Sequence, residues 1–369
     1  MAQKRFGVGI VGLQPGRSWA AVAHVPALRA LSGDFEIVGV ANTSRESAEK
    51  AAAAMDIARA FTDVAQLVAA PEIDVVTVTV KVPHHFEIVK AAIQAGKHVY
   101  CEWPLGNGLG EAEELARLAR EKGVLGVVGT QARVAPEIVH LRRLIEDGFI
   151  GEVLSTTLVG WGGAWGGSIP TKQIAYVLDR ANGATLLTIP LGHTLAALCD
   201  VLGRAKEVSS VLATRQTQAT VLDTGETLPV TAPDQALVSG LLASGAPISI
   251  HYRGGTARDG HGLLWEINGT KGDLRVTGPS GHAQMIQLSL AGGCGDDKEM
   301  KPLEVPAELR ASWPDNVVPG NVARVYARMA ADLREGMRTA PTFEDAVAVH
   351  RLIAAIEEAA GDGHRVALA

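Results

Sequence analysis

The stretch Phe6-Gly7-Val8-Gly9-Ile10-Val11-Gly12-Leu13-Gln14-Pro15-Gly16-Arg17-Ser18-Trp19 decides how the rest of the chain is read. Phe6 to Val11 is a short apolar run that reads as a strand covered on both faces. A Gly/Pro turn follows, and the Ala/Leu-rich segment Ala20 to Leu31 reads as a helix. A literal GxGxxG stands at Gly7, Gly9 and Gly12, but Gly7 and Gly9 fall inside the strand. A dinucleotide fingerprint needs its glycines in the turn, where the backbone approaches a pyrophosphate at a helix N-terminus. Gly12 and Gly16 therefore carry the tight geometry, and Gln14 takes the place usually held by the second glycine. The expected cofactor loop is Gly12, Leu13, Gln14, Gly16, Ser18 and Trp19, with the amides near Ser18 and Trp19 facing the phosphates.

The pattern that begins here repeats. Glu36 to Ala41, Val75 to Val80, His98 to Cys101 and Leu125 to Val128 read as further strands, and Ser44 to Met55, His85 to Ala95 and Gly110 to Lys122 as helices between them. Glu113 and Arg117 are spaced as an i,i+4 pair on the last helix. Alternating strands and helices imply βα units around a parallel sheet. After Arg133 the rhythm changes. A helix at Pro136 to Asp147 leads into strands at Leu154 to Val159, Val208 to Ala213, Ala236 to Leu242, Ile248 to Tyr252 and Leu264 to Ile267, most without helices between them. That order implies a mainly antiparallel sheet of α+β type, with Asn268 to Asp273 as a hairpin connection and two helices near the end, Val322 to Glu335 and Glu344 to Ala359. The expected domains are a dinucleotide-binding Rossmann domain at 1–131 and an α+β substrate and oligomerisation domain at 132–369 that includes the C-terminal helices. They are expected to share a cleft.

At the end of the second strand, where a carboxylate usually holds the adenosine ribose, the chain reads Ala41-Asn42-Thr43-Ser44-Arg45. A carboxylate would repel a 2′-phosphate, whereas hydroxyls and a guanidinium can hydrogen-bond it. NADP is therefore the expected cofactor, with NAD possible, and Asn42, Thr43, Ser44 and Arg45 are cofactor candidates. Asn42 as a helix cap is the competing reading.

Of the 369 residues, 47% are hydrophobic and 20% charged, and the net charge of −6 comes without a Lys/Arg-rich run. That balance offers no platform for a polyanion, so direct nucleic-acid binding and membrane-surface binding are not expected. Cys101, Cys199 and Cys294 form no CxxC pair, and His84-His85 has no third ligand nearby, so no metal site is expected and a reducing, cytoplasmic compartment is the simplest reading. Ala21-Val22-Ala23 has the look of a signal-peptidase site, but the preceding apolar run is short and broken by the turn. No segment reads as a membrane span of about 20 apolar residues.

Pro71 to Val76, His85-Phe86-Glu87-Ile88, Ala95 to Val99, Cys101-Glu102-Trp103-Pro104-Leu105, Gly129-Thr130-Gln131-Ala132-Arg133, Asn268 to Gly272 and Pro341 to Asp345 together resemble the Gfo/Idh/MocA oxidoreductases. The resemblance covers nearly the whole chain. It implies a Rossmann domain followed by an open-faced antiparallel sheet, a nicotinamide cofactor contacted also by His85, Glu102, Trp103 and Gln131, a sugar-like or cyclitol substrate, and a homodimer or higher homo-oligomer. The family's Glu-Lys-Pro motif is here Glu102-Trp103-Pro104, and an indole is neither acid nor base. In Asn182 to His193 the family's histidine persists as His193, while Thr188 or Ile189 stands at the acid position. These departures are similar to the galactose-regulon repressor branch, which implies a sensor with a regulatory protein partner.

Two functions follow as expectations. The first is an oxidoreductase, NADP preferred, moving a hydride to or from a carbonyl or hydroxyl group of a sugar-like molecule. His193 is its acid/base candidate, expected to titrate near neutrality, with Lys81 at the sheet's C-terminal edge and Tyr176 as further catalytic candidates. Trp103, Trp161 and Trp165 form the expected substrate platform with Tyr176 and His193, because the glycines of Trp161 to Gly167 would let a ligand approach the backbone. The second is a catalytically inactive dinucleotide sensor.

Overall fold

Six parallel strands order the first sheet of the computed structural model, which describes residues 4–310 and 313–368. They are β1 (Phe6–Val11), β2 (Phe35–Ala41), β3 (Arg59–Phe61), β4 (Val75–Val78), β5 (His98–Glu102) and β6 (Gly126–Gly129), arranged β3-β2-β1-β4-β5-β6. Helices α1 (Val25–Ala30), α2 (Arg45–Ala54), α3 (Val64–Ala69), α4 (His85–Gln94) and α5 (Leu109–Lys122) connect them. The central strands are apolar because both faces are covered: Val8, Ile10, Val75, Val76 and Val78 are fully buried. Gly7 and Gly9 are glycines for packing. A Cβ at Gly7 would lie 1.9 Å from the Glu72 carbonyl oxygen, and one at Gly9 2.7 Å from Leu67. On α5, Arg117 bonds Glu114 and Glu121.

The first helix departs from the expected continuous α-helix. Ala20–His24 is a π-turn, with the Val25 N–H bonded to the Ala20 carbonyl, and α1 starts only at Val25. Pro26 has no N–H to give residue 22, so the α ladder is interrupted here, and the wider turn fills the gap.

The chain divides into two compact units, Met1–Gln131 with Ser312–Ala348, and Ala132–Ala311 with Val349–Ala369. The expected division differs for residues 313–348, which pack with the first unit. Within that unit, the helix Val317–Glu335 lies against α1 and the π-turn and fully buries Tyr326 and Met329. Arg334 pairs with Asp34 at 2.7 Å, the Val128 N–H bonds the Pro341 carbonyl at 2.9 Å, and Phe343 occupies the space a side chain at Gly126 would need.

The second unit is built on nine strands: β7 (Val153–Gly162), β9 (Ala205–Ala213), β12 (Gln235–Leu242), β13 (Pro247–Gly254), β14 (Leu263–Gly269), β15 (Gly272–Gly278), β16 (Ser289–Cys294), β17 (Lys301–Pro302) and β18 (Val366–Ala367). Only β7 and β13 pair in parallel, the other neighbours being antiparallel, so the sheet is mainly antiparallel. The strands β8 (Ser168–Ile169), β10 (Gln218–Val221) and β11 (Thr227–Pro229) form a separate three-stranded sheet. Helix α6 (Pro136–Glu146) packs on α7 (Gly192–Leu202), and the Tyr252 hydroxyl, on the inner face of β13, meets Thr194 of α7 at 2.7 Å. The run Arg180–Leu202 is long and apolar enough to cross a membrane by composition, contrary to the expectation that no such run exists. Of its most apolar 18-residue window 72% is buried inside the protein, and its apolar side chains belong to the core of this unit.

Candidate functional site

In the first unit, β1 ends at Gly12, whose φ of +97° is a left-handed value that glycine adopts without strain. A Cβ there would sit 2.7 Å from Val80. Gly16 turns the loop a second time at φ +72°. Asn42 holds the loop from the end of β2: it accepts from the Leu13 N–H and donates to the Leu13 carbonyl, both at 2.9 Å. The cap of α2 is Ser44, which accepts from the Ser47 N–H, so Asn42 is a latch on the loop and not the helix cap.

One expectation for this loop changes. The Ser18 N–H is bonded to the Gln14 carbonyl at 3.0 Å, and the Ser18 hydroxyl accepts from the Gln14 N–H at 2.8 Å, so Ser18 braces the loop internally and its amide does not face a phosphate. The Trp19 indole nitrogen is buried without a hydrogen-bond partner among the described residues. Beyond the end of β2, Thr43, Ser44 and Arg45 are exposed. Arg45 bonds Glu49 at 2.7 Å in a solvent-exposed i,i+4 pair, a type of contact that contributes little and yields readily to a stronger anion.

On the other side of β1, the ends of β4, β5 and β6 carry the remaining candidates. Glu102 closes β5. Gln131, 1% exposed, donates from its amide nitrogen to both Glu102 oxygens at 2.7 and 2.9 Å. Sequence reasoning missed His24 and Tyr326, which complete this cluster. His24 contacts Glu102 through Nε2 at 2.9 Å and Tyr326 through Nδ1 at 2.9 Å. No local signal could have found a pair 302 residues apart.

Trp103 is 4% exposed and precedes a cis peptide bond to Pro104. His85 was expected to contact the cofactor. Its two ring nitrogens instead face the Pro104 and Val80 carbonyls at 2.7 and 2.9 Å, and burial pushes its pKa down, so the ring braces the Glu-Trp-Pro turn. Lys81 is exposed just beyond β4.

In the second unit, His193 opens α7 and is 4% exposed. Burial, with a smaller contribution from His282, pushes its pKa down to about 3, so the near-neutral titration expected of an acid/base is corrected: the imidazole is neutral through the physiological range. His282, which the sequence reading passed over, is pushed down to about 4 by burial. Thr188 spends its hydroxyl locally, donating to the Gly183 carbonyl at 2.7 Å.

The tryptophan platform is also revised. Trp165 is 3% exposed, donates its indole N–H to the Val177 carbonyl at 3.0 Å and stacks on His282. Trp161 alternates with inward-facing Gly160, the register partner of Tyr252, and therefore lies on the sheet face opposite Tyr252 and α7, with Arg253 4.0 Å over its ring. Trp161 and His193 are thus not brought together. The glycines around Trp165 serve a chain crossing: a Cβ at Gly254 would fall 1.9 Å from the Trp165 carbonyl oxygen, and one at Gly166 2.4 Å from the Gly255 Cα. Tyr176 is partly buried, which raises its phenol pKa.

Comparison with known proteins fits this anatomy. Residues 6–130 match the model of the oxidoreductase family with NAD-binding Rossmann fold, and residues 136–278 match a model described as the Gal80p C-terminal domain. The galactose/lactose metabolism regulatory protein GAL80 of Kluyveromyces lactis is 31% identical over 301 residues, 77% of this chain and 66% of that protein, so the chain spans just under two thirds of this relative. The dehydrogenase aclE of Aspergillus oryzae is 32% identical over 287 residues, 75% of this chain and 78% of that protein. Levoglucosan dehydrogenase of Pseudarthrobacter phenanthrenivorans is 26% identical over 255 residues, 64% of this chain and 63% of that protein. Among solved structures, a super-repressor mutant of Gal80p from Saccharomyces cerevisiae superposes with a TM-score of 0.90 at 26% identity, over 99% of this chain and 98% of that one. The chain therefore belongs to the Gfo/Idh/MocA oxidoreductase family, with an NAD-binding Rossmann domain and a second domain of the Gal80p C-terminal type.

Proposed function

We propose that this protein is an NAD(P)-dependent oxidoreductase of a sugar-like or cyclitol molecule, with NADP preferred. The carrying observation is the Gly12 loop: a left-handed glycine with no room for a side chain, latched to β2 by Asn42, at the strand end where open α/β sheets bind dinucleotides. The loop and the unpaired Trp19 indole N–H fit the pyrophosphate half of the cofactor. Thr43, Ser44 and Arg45 would hold the adenosine end, and Glu102, Trp103 and Gln131 the nicotinamide end. When bound, the nicotinamide ring supplies or accepts the hydride. His193, being neutral, would act on the substrate oxygen as a hydrogen-bonding electrophile, a role that a depressed imidazole pKa favours over proton storage. Sugar dehydrogenases among the relatives support the substrate class.

NADP preference rests on the absence of a carboxylate at the end of β2. Arg45→Ala is expected to weaken NADP roughly tenfold while leaving NAD within about twofold, because one charge-assisted contact is lost from the 2′-phosphate alone. Calorimetric titration with both cofactors reads the ratio, and equal weakening would defeat the assignment.

A second reading is a dinucleotide sensor that does no chemistry and acts through a regulatory protein partner. Trp103 at the position of the family lysine favours it, as does the similarity to GAL80. Turnover separates the two. Purified protein with NAD or NADP and a panel of sugars, cyclitols and ketones is expected to change the reduced-nicotinamide absorbance, with the rate lost in His193→Ala; saturable cofactor binding without turnover over the panel would select the sensor. A homo-oligomer through the outer sheet face, where Val211 and Leu237 are 59% and 42% exposed, accompanies either reading, and a monomer mass by light scattering would refute it.

A further inference from the structure

The buried chain Thr77–Tyr326–His24–Glu102–Gln131 joins five separate elements of the first unit, and the roles of its protons follow from the groups themselves. A carboxylate oxygen accepts, so the contact between His24 Nε2 and Glu102 Oε1, 2.9 Å, is assigned as an N–H donation to Glu102. With its proton on Nε2, the ring accepts at Nδ1, and the Tyr326 hydroxyl donates to it at 2.9 Å. Burial raises the Tyr326 pKa and keeps that phenol protonated. The Tyr326 oxygen then accepts from Thr77 at 2.8 Å. Oε1 receives His24 and Gln131, whereas among the described residues Oε2 receives Gln131 alone and keeps a lone pair spare. The Glu102 side chain is 12% exposed, against 0% for His24, so solvent and ligands meet this chain at Glu102.

The sheet order places Glu102. β5 lies on the far side of β1 from β2, so the adenosine half belongs to the β2 end and Glu102 stands at the nicotinamide half. The π-turn that carries His24 begins at Ala20, directly after the cofactor loop, and turns of this kind are frequent at functional sites.

We propose that His24 is a positioning residue for the nicotinamide half of the cofactor: it fixes the Glu102 carboxylate so that Oε2 is presented as a hydrogen-bond acceptor to the nicotinamide nucleoside, with Tyr326 fixing His24 in turn. This rests on the dinucleotide reading above. His24 is not a catalytic residue: among the described residues it bonds Glu102 and Tyr326, with the Tyr100 ring edge-on, and its side chain is 0% exposed.

The test uses the full chain and two probes, ADP and reduced nicotinamide dinucleotide, titrated by calorimetry. His24→Leu is expected to raise the dinucleotide Kd roughly tenfold and leave the ADP Kd unchanged. His24→Gln, whose amide can donate to Glu102 and accept from Tyr326, is expected to restore binding to within about threefold, a rescue that general loss of packing would not give. In a Glu102→Gln background, His24→Leu is expected to add little, as coupled residues do. Unchanged dinucleotide affinity in folded His24→Leu, or equal weakening of ADP and dinucleotide, overturns the proposal. If His24→Leu does not fold, Tyr326→Phe is read instead: a milder loss confined to the dinucleotide supports the proposal, and no loss overturns it. Failure of the parent reading is distinct, because the unmodified protein would then bind neither probe.

Discussion

Gly12→Val is expected to abolish practical dinucleotide binding, raising the Kd by roughly 100-fold or more, while the purified variant keeps its circular dichroism. Two independent costs add at this position. An L side chain at φ +97° is strained by about 1–2 kcal/mol, and its Cβ would sit 2.7 Å from Val80 Cγ1 and 3.3 Å from the Val80 backbone nitrogen. The backbone nitrogen cannot yield as a side-chain tip can. Relief comes from moving the loop away from the β4 end, which draws Leu13 off its paired bonds with Asn42 and removes the surface a pyrophosphate needs. About 2.7 kcal/mol of lost binding corresponds to the 100-fold figure. Gly16→Ala is the control. Its Cβ would meet nothing within 4 Å, so only the conformational cost remains and the loss should be far smaller. Wild-type affinity in Gly12→Val would mean that the cofactor does not sit on this loop.

The second large effect concerns acid stability. His193 and His350 are 4% and 3% exposed, and burial pushes their pKa values down to about 3 and about 4 from an ordinary 6.5. The sign follows from linkage. Above pH 6.5 neither folded nor unfolded chain protonates them, and their contribution is fully present. Below 6.5 the unfolded chain takes up protons that the folded one refuses, so stability falls as pH drops through the window down to about 4. Each group contributes about 1.4 kcal/mol per pH unit, or about 2 kcal/mol between pH 6.5 and 5. The pair should therefore cost the folded state about 4 kcal/mol on going from pH 7 to 5. Urea unfolding of the wild type and His193→Gln at both pH values isolates one of them: the variant should lose about 2 kcal/mol less than the wild type. Equal losses would show that His193 is not held neutral by burial.

That depressed pKa also explains why function was only partly legible in the sequence. His193 stands at a family position, but its surroundings come from side chains distant in the chain, His282 among them, and no spacing rule carries burial. The first sheet was legible because strands buried on both faces leave continuous apolar runs, and the Gly7/Gly9 reading could be made from register alone. β3 and α3, three and six residues long, are too short to show a period, and they were missed. The glycines about Trp165 misled for a physical reason: a ligand and a crossing backbone both require a missing Cβ, and it is the backbone of Gly254 and Gly255, distant in sequence, that fills the space. Asn42 was recognised as functional in position but not in role, since its two bonds to Leu13 join the ends of neighbouring strands 29 residues apart.

Catalyst and sensor alike require that the first unit hold a nicotinamide dinucleotide on the turn between β1 and the π-turn. Isothermal titration of the full chain with NADP, NAD and their reduced forms measures this directly. Saturable heat with at least one of them, lost in Gly12→Val, is the predicted result; flat isotherms with all four would contradict it.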